Sequence, residues 1–368
     1  MKILIITNNL KPNSGWGRYS LGVINELLRR DLNISVMVEH PSGAAYESVF
    51  LPTDSIWSLV SNIMKIRSHA RDCDVVHAFD GWPYAVLGYF AVLGTSKSLF
   101  VNAIGTYSVA PLRDHLKGFL LRRAYAKAQR IFAISAYVKD RIVELTGLAS
   151  IQVVLQGLSP LPAVTRDEVN RFKAEEDLSG KYPILLTVGE IKERKGQLDT
   201  LKAAALIKEK YPQTLYIMIA SDGDSGYVEK IRAYATSNGL GGNFQIRSDV
   251  REDATLSRFY AACDVFLLNS NNDGRHLEGF GLVILEANQF GKPAVGSRGC
   301  GIEDAIRAGF SGFLSDPGNP QDIAAQIFKI IEKKMIKEDD VRDWSSRFTW
   351  KKTVDQYVAF YMLQPLRN

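Results

Sequence analysis

The sequence predicts an α/β protein built from two tandem doubly wound parallel sheets, and three observations carry that expectation. Short, unbroken apolar runs rich in β-branched residues alternate with longer helical patterns. The alternation halts at a proline-bearing segment and then restarts. At 368 residues the chain is too long for one ordinary core and short for three.

The first set of strands is expected at 3–6, 34–38, 75–78, 99–103, 131–134 and 151–155. Runs of this kind are buried on both faces, so helices should cover each side of the sheet. Residues 156–162, with two prolines, followed by a polar helix up to Gly180, read as a linker. New strands follow at 184–188, 215–220, 244–246, 265–268 and 294–295. The expected domains are therefore 1–160 and 161–349. The aromatic, helical segment that closes the chain, 350–368, is expected to pack back onto the first domain.

Composition narrows the function classes. Hydrophobic content of 46% and charged content of 23% are those of an ordinary globular protein, which argues against disorder. Cys73, Cys263 and Cys300 are scattered and form no C-x-x-C pair, so neither a disulfide framework nor a zinc site is expected, and a cytoplasmic setting fits. The apolar run 3–6 is too short for a signal peptide, and the longest apolar stretch, 85–93, falls short of the roughly 20 residues that span a bilayer. A net charge of +5 points to no nucleic-acid partner by itself. Cations do cluster in a helix expected over 113–130, which offers a weak peripheral contact with the inner face of a membrane.

The strongest motif runs Leu277, Glu278, Gly279, Phe280, Gly281, Leu282 and on to Glu286 and Gly291. A helix beginning near Gly281 would aim free backbone N–H groups and its positive dipole end at an anion, for which a diphosphate is suited. Glu286 can accept hydrogen bonds from vicinal hydroxyls such as those of a ribose. After the strand 184–188 come Gly189, Glu190, Lys192, Arg194 and Lys195, two adjacent cations at a strand-to-helix turn. Such cations neutralise phosphate through charge-assisted bonds of about 1.5–3 kcal/mol each.

The pair Glu278 and Glu286, eight positions apart, with Gly279–Leu282 between them and Gly291-Lys-Pro293 after, resembles the signature of the glycogen-synthase-like family 4 glycosyltransferases of GT-B architecture. The resemblance covers nearly the whole chain and implies two Rossmann-like domains facing a cleft, with a nucleotide-sugar donor in the C-terminal one. It implies that Glu278 lies beside the donor sugar, that the amides of Phe280, Gly281 and Leu282 hold hydroxyls and phosphates, and that Glu286 binds the ribose. Lys195 matches the family's diphosphate lysine, and Arg194 supplies a second charge where many members carry an arginine at the position of Glu190. Gly189, Gly223 and Val250 complete the expected donor contacts. The loop Asn13-Ser14-Gly15-Trp16-Gly17-Arg18-Tyr19 looks like the family's glycine-rich loop, which implies donor contacts at Gly15 and Gly17. The implied chemistry is retaining transfer of a hexose-type sugar from UDP or GDP to a saccharide or lipid-linked acceptor, with no metal or other cofactor. Arg18, His77, Thr106, Tyr107, Arg275 and His276 are candidate acceptor or sugar contacts. The family's His-Gly pair after the fourth strand is replaced by Ile104-Gly105.

Rival readings rest on specific residues. Asp222-Gly223-Asp224 copies a metal motif, but it sits where turn and helix-cap residues are favoured. Gly15-Trp-Gly17 with Glu39 would suit an NAD-dependent oxidoreductase, but Ser20 stands where that motif's third glycine belongs. Glu190 and Ile104 also leave open a nucleotide-sugar-binding protein without transferase activity.

Overall fold

The computed structural model describes residues 1–12, 14–220 and 223–363. The chain divides into two compact units, Met1–Ser159 with Phe348–Asn368, and Pro160–Arg347.

Unit 1 runs β1 (Lys2–Thr7), α1 (Gly15–Leu28), β2 (Asn33–Val38), β3 (Glu47–Val49), α2 (Ile56–His69), β4 (Val75–Phe79), α3 (Val86–Val92), β5 (Ser98–Ala103), α4 (Thr106–Val109), α5 (His115–Lys127), β6 (Arg130–Ala133), α6 (Ala136–Thr146) and β7 (Ile151–Val153). Its seven parallel strands are ordered β3-β2-β1-β4-β5-β6-β7. The sequence expectation omits β3, which is short and polar and pairs at the sheet edge through Val36 to Val38. The basic helix is shorter than 113–130: the Asp114 side chain caps α5 by accepting from the Lys117 amide, and Arg130 opens β6. Ile3 to Ile6 are wholly buried, as unbroken apolar strands require.

Unit 2 runs α7 (Arg166–Glu175), β8 (Ile184–Val188), α8 (Gln197–Lys210), β9 (Leu215–Ile219), α9 (Ser225–Ser237), β10 (Phe244–Arg247), α10 (Asp253–Ala262), β11 (Val265–Leu268), α11 (Leu282–Gln289), β12 (Ala294–Ser297), α12 (Ile302–Ala305), β13 (Gly312–Ser315), α13 (Pro320–Ile331) and α14 (Glu338–Ser346). Six parallel strands are ordered β10-β9-β8-β11-β12-β13. β13, with a glycine and a serine at its ends, was not expected. The order reverses between β8 and β11, and the carboxyl ends of strands at such a switch point are where open α/β sheets bind ligands.

The final helix, α15 (Trp350–Met362), belongs to unit 1 and lies against α1. Trp350 occupies the space above Gly22, where a methyl group would come 2.0 Å from the indole. The hydroxyls of Tyr19 and Tyr357 meet at 2.8 Å.

Candidate functional site

In unit 2 the turn after β8 folds over the end of β11. Gly196 makes this possible: its φ is +68°, and a Cβ there would stand 1.9 Å from the Asn269 carbonyl oxygen. The turn carries Arg194 and Lys195 to the Glu278 carboxylate. Lys195 Nζ donates to Glu278 Oε2 at 2.5 Å, Arg194 Nη1 lies 3.6 Å from the same oxygen, and Ser270 Oγ donates to it at 3.2 Å. Burial works to raise the Glu278 carboxyl, but Lys195, then Arg194 and Ser270, more than offset it, and it stays below the ordinary glutamate range.

The segment beyond Glu278 is held by backbone contacts that only glycines permit. The Gly301 amide donates to Glu278 O at 2.9 Å, and a methyl on Gly301 would lie 1.9 Å from Gly279 O. Gly281, with φ +86°, turns the chain into α11, whose opening residue is Leu282. Phe280 is buried beside it, packing the turn. The first amides of α11 have no preceding helical carbonyl to bind. Two cations, one carboxylate and a helix start are thus gathered at the switch point.

Other expected donor residues are placed less directly. Glu286 is buried, and its Oε2 accepts from Tyr260 Oη at 2.7 Å, so its carboxylate is engaged by α10 rather than simply presented to solvent. Gly189 follows β8 with φ +138° and open space where a Cβ would be. Glu190 pairs with Lys192 at 2.6 Å. Gly223 bridges to Ile191, which brings the loop after β9 beside the loop after β8. Val250 follows the edge strand β10, two strands from β8 and at the same end of the sheet. Arg275 and His276 are exposed in a turn organised by Asp273, whose carboxylate accepts from both their amides and from the His276 ring. Asp222 lies outside the described residues. Asp224 caps α9 by accepting from the Tyr227 amide at 2.8 Å, a structural use of that carboxylate.

In unit 1 the glycine-rich loop and the segment after β5 come together. Ser14 Oγ accepts from the Gly17 amide at 3.0 Å and caps α1, and Arg18 Nε donates back to Pro12 O at 2.8 Å. A methyl on Gly17 would lie 2.0 Å from Lys11 O, whereas Gly15 faces open space. The Trp16 ring stands 5.5 Å from that of half-exposed Tyr107, next to Thr106 at the start of α4.

His77 is a correction. It is wholly buried, its Nε2 donates to Asn102 Oδ1 at 2.8 Å, and its Nδ1 accepts from Tyr361 of α15 at 2.5 Å. Burial pushes its pKa down to about 3, so it is a neutral core histidine rather than a sugar contact. Glu39 is also spent internally, accepting from Tyr84 Oη at 2.5 Å and from Thr53, while Ser20 bonds Thr7 at 2.7 Å. Neither is free for a nicotinamide dinucleotide's ribose or pyrophosphate.

The sequence reading missed Asp80. It directly follows β4, with φ +101° and ψ 167°, a region that residues other than glycine scarcely enter. Its buried carboxylate accepts from the Gly81 amide at 2.7 Å and from Ser108 Oγ. Burial raises its pKa to about 6, against those hydrogen bonds. The available signal was an acid directly after a buried strand and before a glycine.

The fold and the cation-carboxylate cluster define a class, the two-unit GT-B proteins. Residues 168–347 match the family model for glycosyl transferases group 1, and residues 13–160 match that for glycosyltransferase family 4. The chain belongs to the family 4 glycosyltransferases of GT-B fold. A D-inositol 3-phosphate glycosyltransferase of Geodermatophilus obscurus is 37% identical over 29% of this chain, and one of Corynebacterium urealyticum is 30% identical over 48%. The matches span 22% and 42% of those relatives' own lengths, less than half of either. An N-acetyl-alpha-D-glucosaminyl L-malate synthase of Bacillus anthracis is 24% identical over 83% of this chain and 78% of its own length. Among solved structures, Anabaena HepE in complex with UDP superposes with a TM-score of 0.81 at 21% identity, covering 99% of this chain and 100% of that one. The same protein with UDP-glucose gives 0.80 at 21% identity and the same coverage. At that identity the likeness establishes the fold.

Proposed function

We propose that the protein transfers a hexose-type sugar from a nucleoside diphosphate donor, held in unit 2, to a saccharide or lipid-linked acceptor, with retention of anomeric configuration and without a metal ion. The observation that carries this reading is the convergence of Lys195, Arg194 and the start of α11 on Glu278. A leaving diphosphate carries negative charge that must be stabilised as the glycosidic bond breaks. Lys195 and Arg194 supply two positive charges at that point, in the role a divalent cation would otherwise take. Glu278 holds both in place before the donor arrives and stabilises positive charge that develops on the sugar. Retention follows if the acceptor attacks from the face the diphosphate leaves, with the leaving oxygen taking the acceptor proton. HepE binds UDP and UDP-glucose, which favours a uracil base.

The test is turnover of UDP- and GDP-sugars with a panel of saccharide and lipid-linked acceptors, in EDTA, with the product anomer read by NMR. An α-donor should give an α-product at a rate indifferent to EDTA. Binding of nucleoside diphosphate with neither transfer nor hydrolysis would favour the non-catalytic alternative instead. Inversion, or activity restored only by a divalent ion, would overturn the mechanism.

A further inference from the structure

Unit 1 carries an exposed apolar surface whose residues lie outside the candidate site described above. The inner side of α2 buries Asn62, Ile66 and Ala70 at helical spacing, which is all that packing on the sheet requires. Its outer side nevertheless presents a second apolar row, with Trp57 85%, Val60 51% and Met64 68% exposed on successive turns. Isolated exposed apolar residues need no explanation, but a row of them on one helix does. α5 repeats the arrangement. Gly118, Leu121, Ala124 and Tyr125 are buried, while Leu116 and Phe119 face out, 63% and 54% exposed.

The topology puts both rows on one side of unit 1. The crossovers β3 to β4, β4 to β5 and β5 to β6 all advance in the same direction along the sheet, so α2, α3 and α5 cover the same face. α3 contacts both α2 and α5, and Arg67 Nη1 ties α2 to it by donating to Phe90 O at 3.0 Å. Segments 54–72 and 113–127 together contain eight Lys and Arg against three Asp. Two of these cations stand over aromatic rings of the face, Lys117 over Trp82 at 5.6 Å and Arg123 over Phe119 at 5.1 Å.

We propose that this three-helix face docks on an anionic lipid surface, with Trp57, Met64, Leu116 and Phe119 at the acyl boundary and the surrounding Lys and Arg against the headgroups. Charge complementarity selects this occupant. A basic rim around exposed aromatic and aliphatic side chains is the pattern that anionic bilayers attract. A second copy of the chain, meeting this face symmetrically, would bring like charges together. The proposal extends the weak contact expected of α5 to a surface in which α2 supplies the most exposed anchor. It does not depend on the transferase reading.

The test is co-sedimentation of the full chain with phosphatidylcholine vesicles, with and without phosphatidylglycerol, and with no sugar nucleotide present. Binding should require phosphatidylglycerol and fall steeply with added salt. The double variants W57E/M64E and L116E/F119E should each lower the bound fraction roughly tenfold while keeping the wild-type melting temperature. Lys195→Ala should bind vesicles as wild type does, which separates this surface from the donor site. A folded W57E/M64E variant that sediments like wild type would overturn the proposal. So would a wild-type chain that ignores anionic vesicles, or one that dimerises through Trp57.

Discussion

Lys195 Nζ and Glu278 Oε2 stand 2.5 Å apart, although 83 residues separate them in the chain. Glu278 offsets one of the two positive charges that Lys195 and Arg194 bring to the proposed donor site, and it holds both cations at one point. A donor phosphate must draw Lys195 away from Glu278 or share it, so removing either partner should change donor use more than stability.

Lys195→Ala should lower kcat/KM for the sugar donor by roughly 10- to 100-fold, the loss of one charge-assisted bond. It should also raise the Glu278 carboxyl towards its buried, unpaired value, because the lysine opposes the effect of burial there. Steady-state kinetics with varied donor, and UDP-induced thermal stabilisation, check this. Wild-type values in both would sink the assignment of the diphosphate site.

Glu286 needs two variants. Glu286→Ala removes the acceptor for buried Tyr260 Oη and should cost about 1–3 kcal/mol of stability in unit 2, as well as weakening the donor. Tyr260→Phe removes only the donor of that bond. If Glu286 contacts the nucleotide, Tyr260→Phe should change donor affinity far less than Glu286→Ala does. Equal losses in the two would mean that Glu286 acts only by supporting α10 and α11.

Unit 1 should show a pH dependence with opposing parts. His77 is neutral when folded, with its pKa pushed down to about 3, whereas the unfolded histidine takes a proton near its ordinary value of 6.5. Stability is therefore lost as pH falls through that window. Asp80, raised to about 6 from 3.8, binds its proton earlier when folded, so stability is gained as pH falls from about 6 towards 4. Asp80→Asn should accordingly stabilise the unit at about pH 8 by up to about 3 kcal/mol, and that gain should vanish near pH 4. Urea unfolding at the two pH values checks it. A gain independent of pH would show that the backbone conformation at residue 80, not its charge, sets the cost.

What the sequence disclosed follows from how local each feature is. The unbroken strands at 3–6 and 184–188 were legible because burial on both faces writes itself into consecutive residues. The turn at 279–282 before α11 was legible because a sharp entry into a helix needs backbone-permissive residues in a short window, and Lys195 because it directly follows a recognisable buried strand and its turn. β3 and β13 escaped because three or four residues with polar ends carry no periodic signal. His77 was placed on the right strand but at its end rather than in its middle, and its partner Tyr361 lies 284 residues away, a pairing that no local pattern announces. Asp80 escaped because a positive φ is a property of the folded backbone. The outer row of α2 escaped because apolar residues around a helix read as core until exposure is known.

The seat of α15 on α1 gives the sharpest packing test. Gly22 lies inside α1, where alanine is favoured over glycine by about 1 kcal/mol on helix propensity alone. The structure reverses that sign, because the new methyl would stand 2.0 Å from Trp350 Cε2 and 2.3 Å from Cζ2. Trp350 cannot retreat easily. Its Nε1 donates to Ser159 Oγ at 3.0 Å, its ring meets Tyr19 edge-on at 5.7 Å, and its backbone leaves no room for a Cβ on Gly157. Gly22→Ala should therefore destabilise unit 1 by about 1–3 kcal/mol, the usual cost of overpacking. Combining it with Trp350→Leu should recover part of that loss, giving a clear coupling term in a double-mutant cycle. UDP should stabilise unit 2 equally in the Gly22→Ala variant and in the wild type. A variant that melts at or above the wild-type temperature would mean that Trp350 is not held between Gly22 and Gly157, and that α15 is seated differently on the unit.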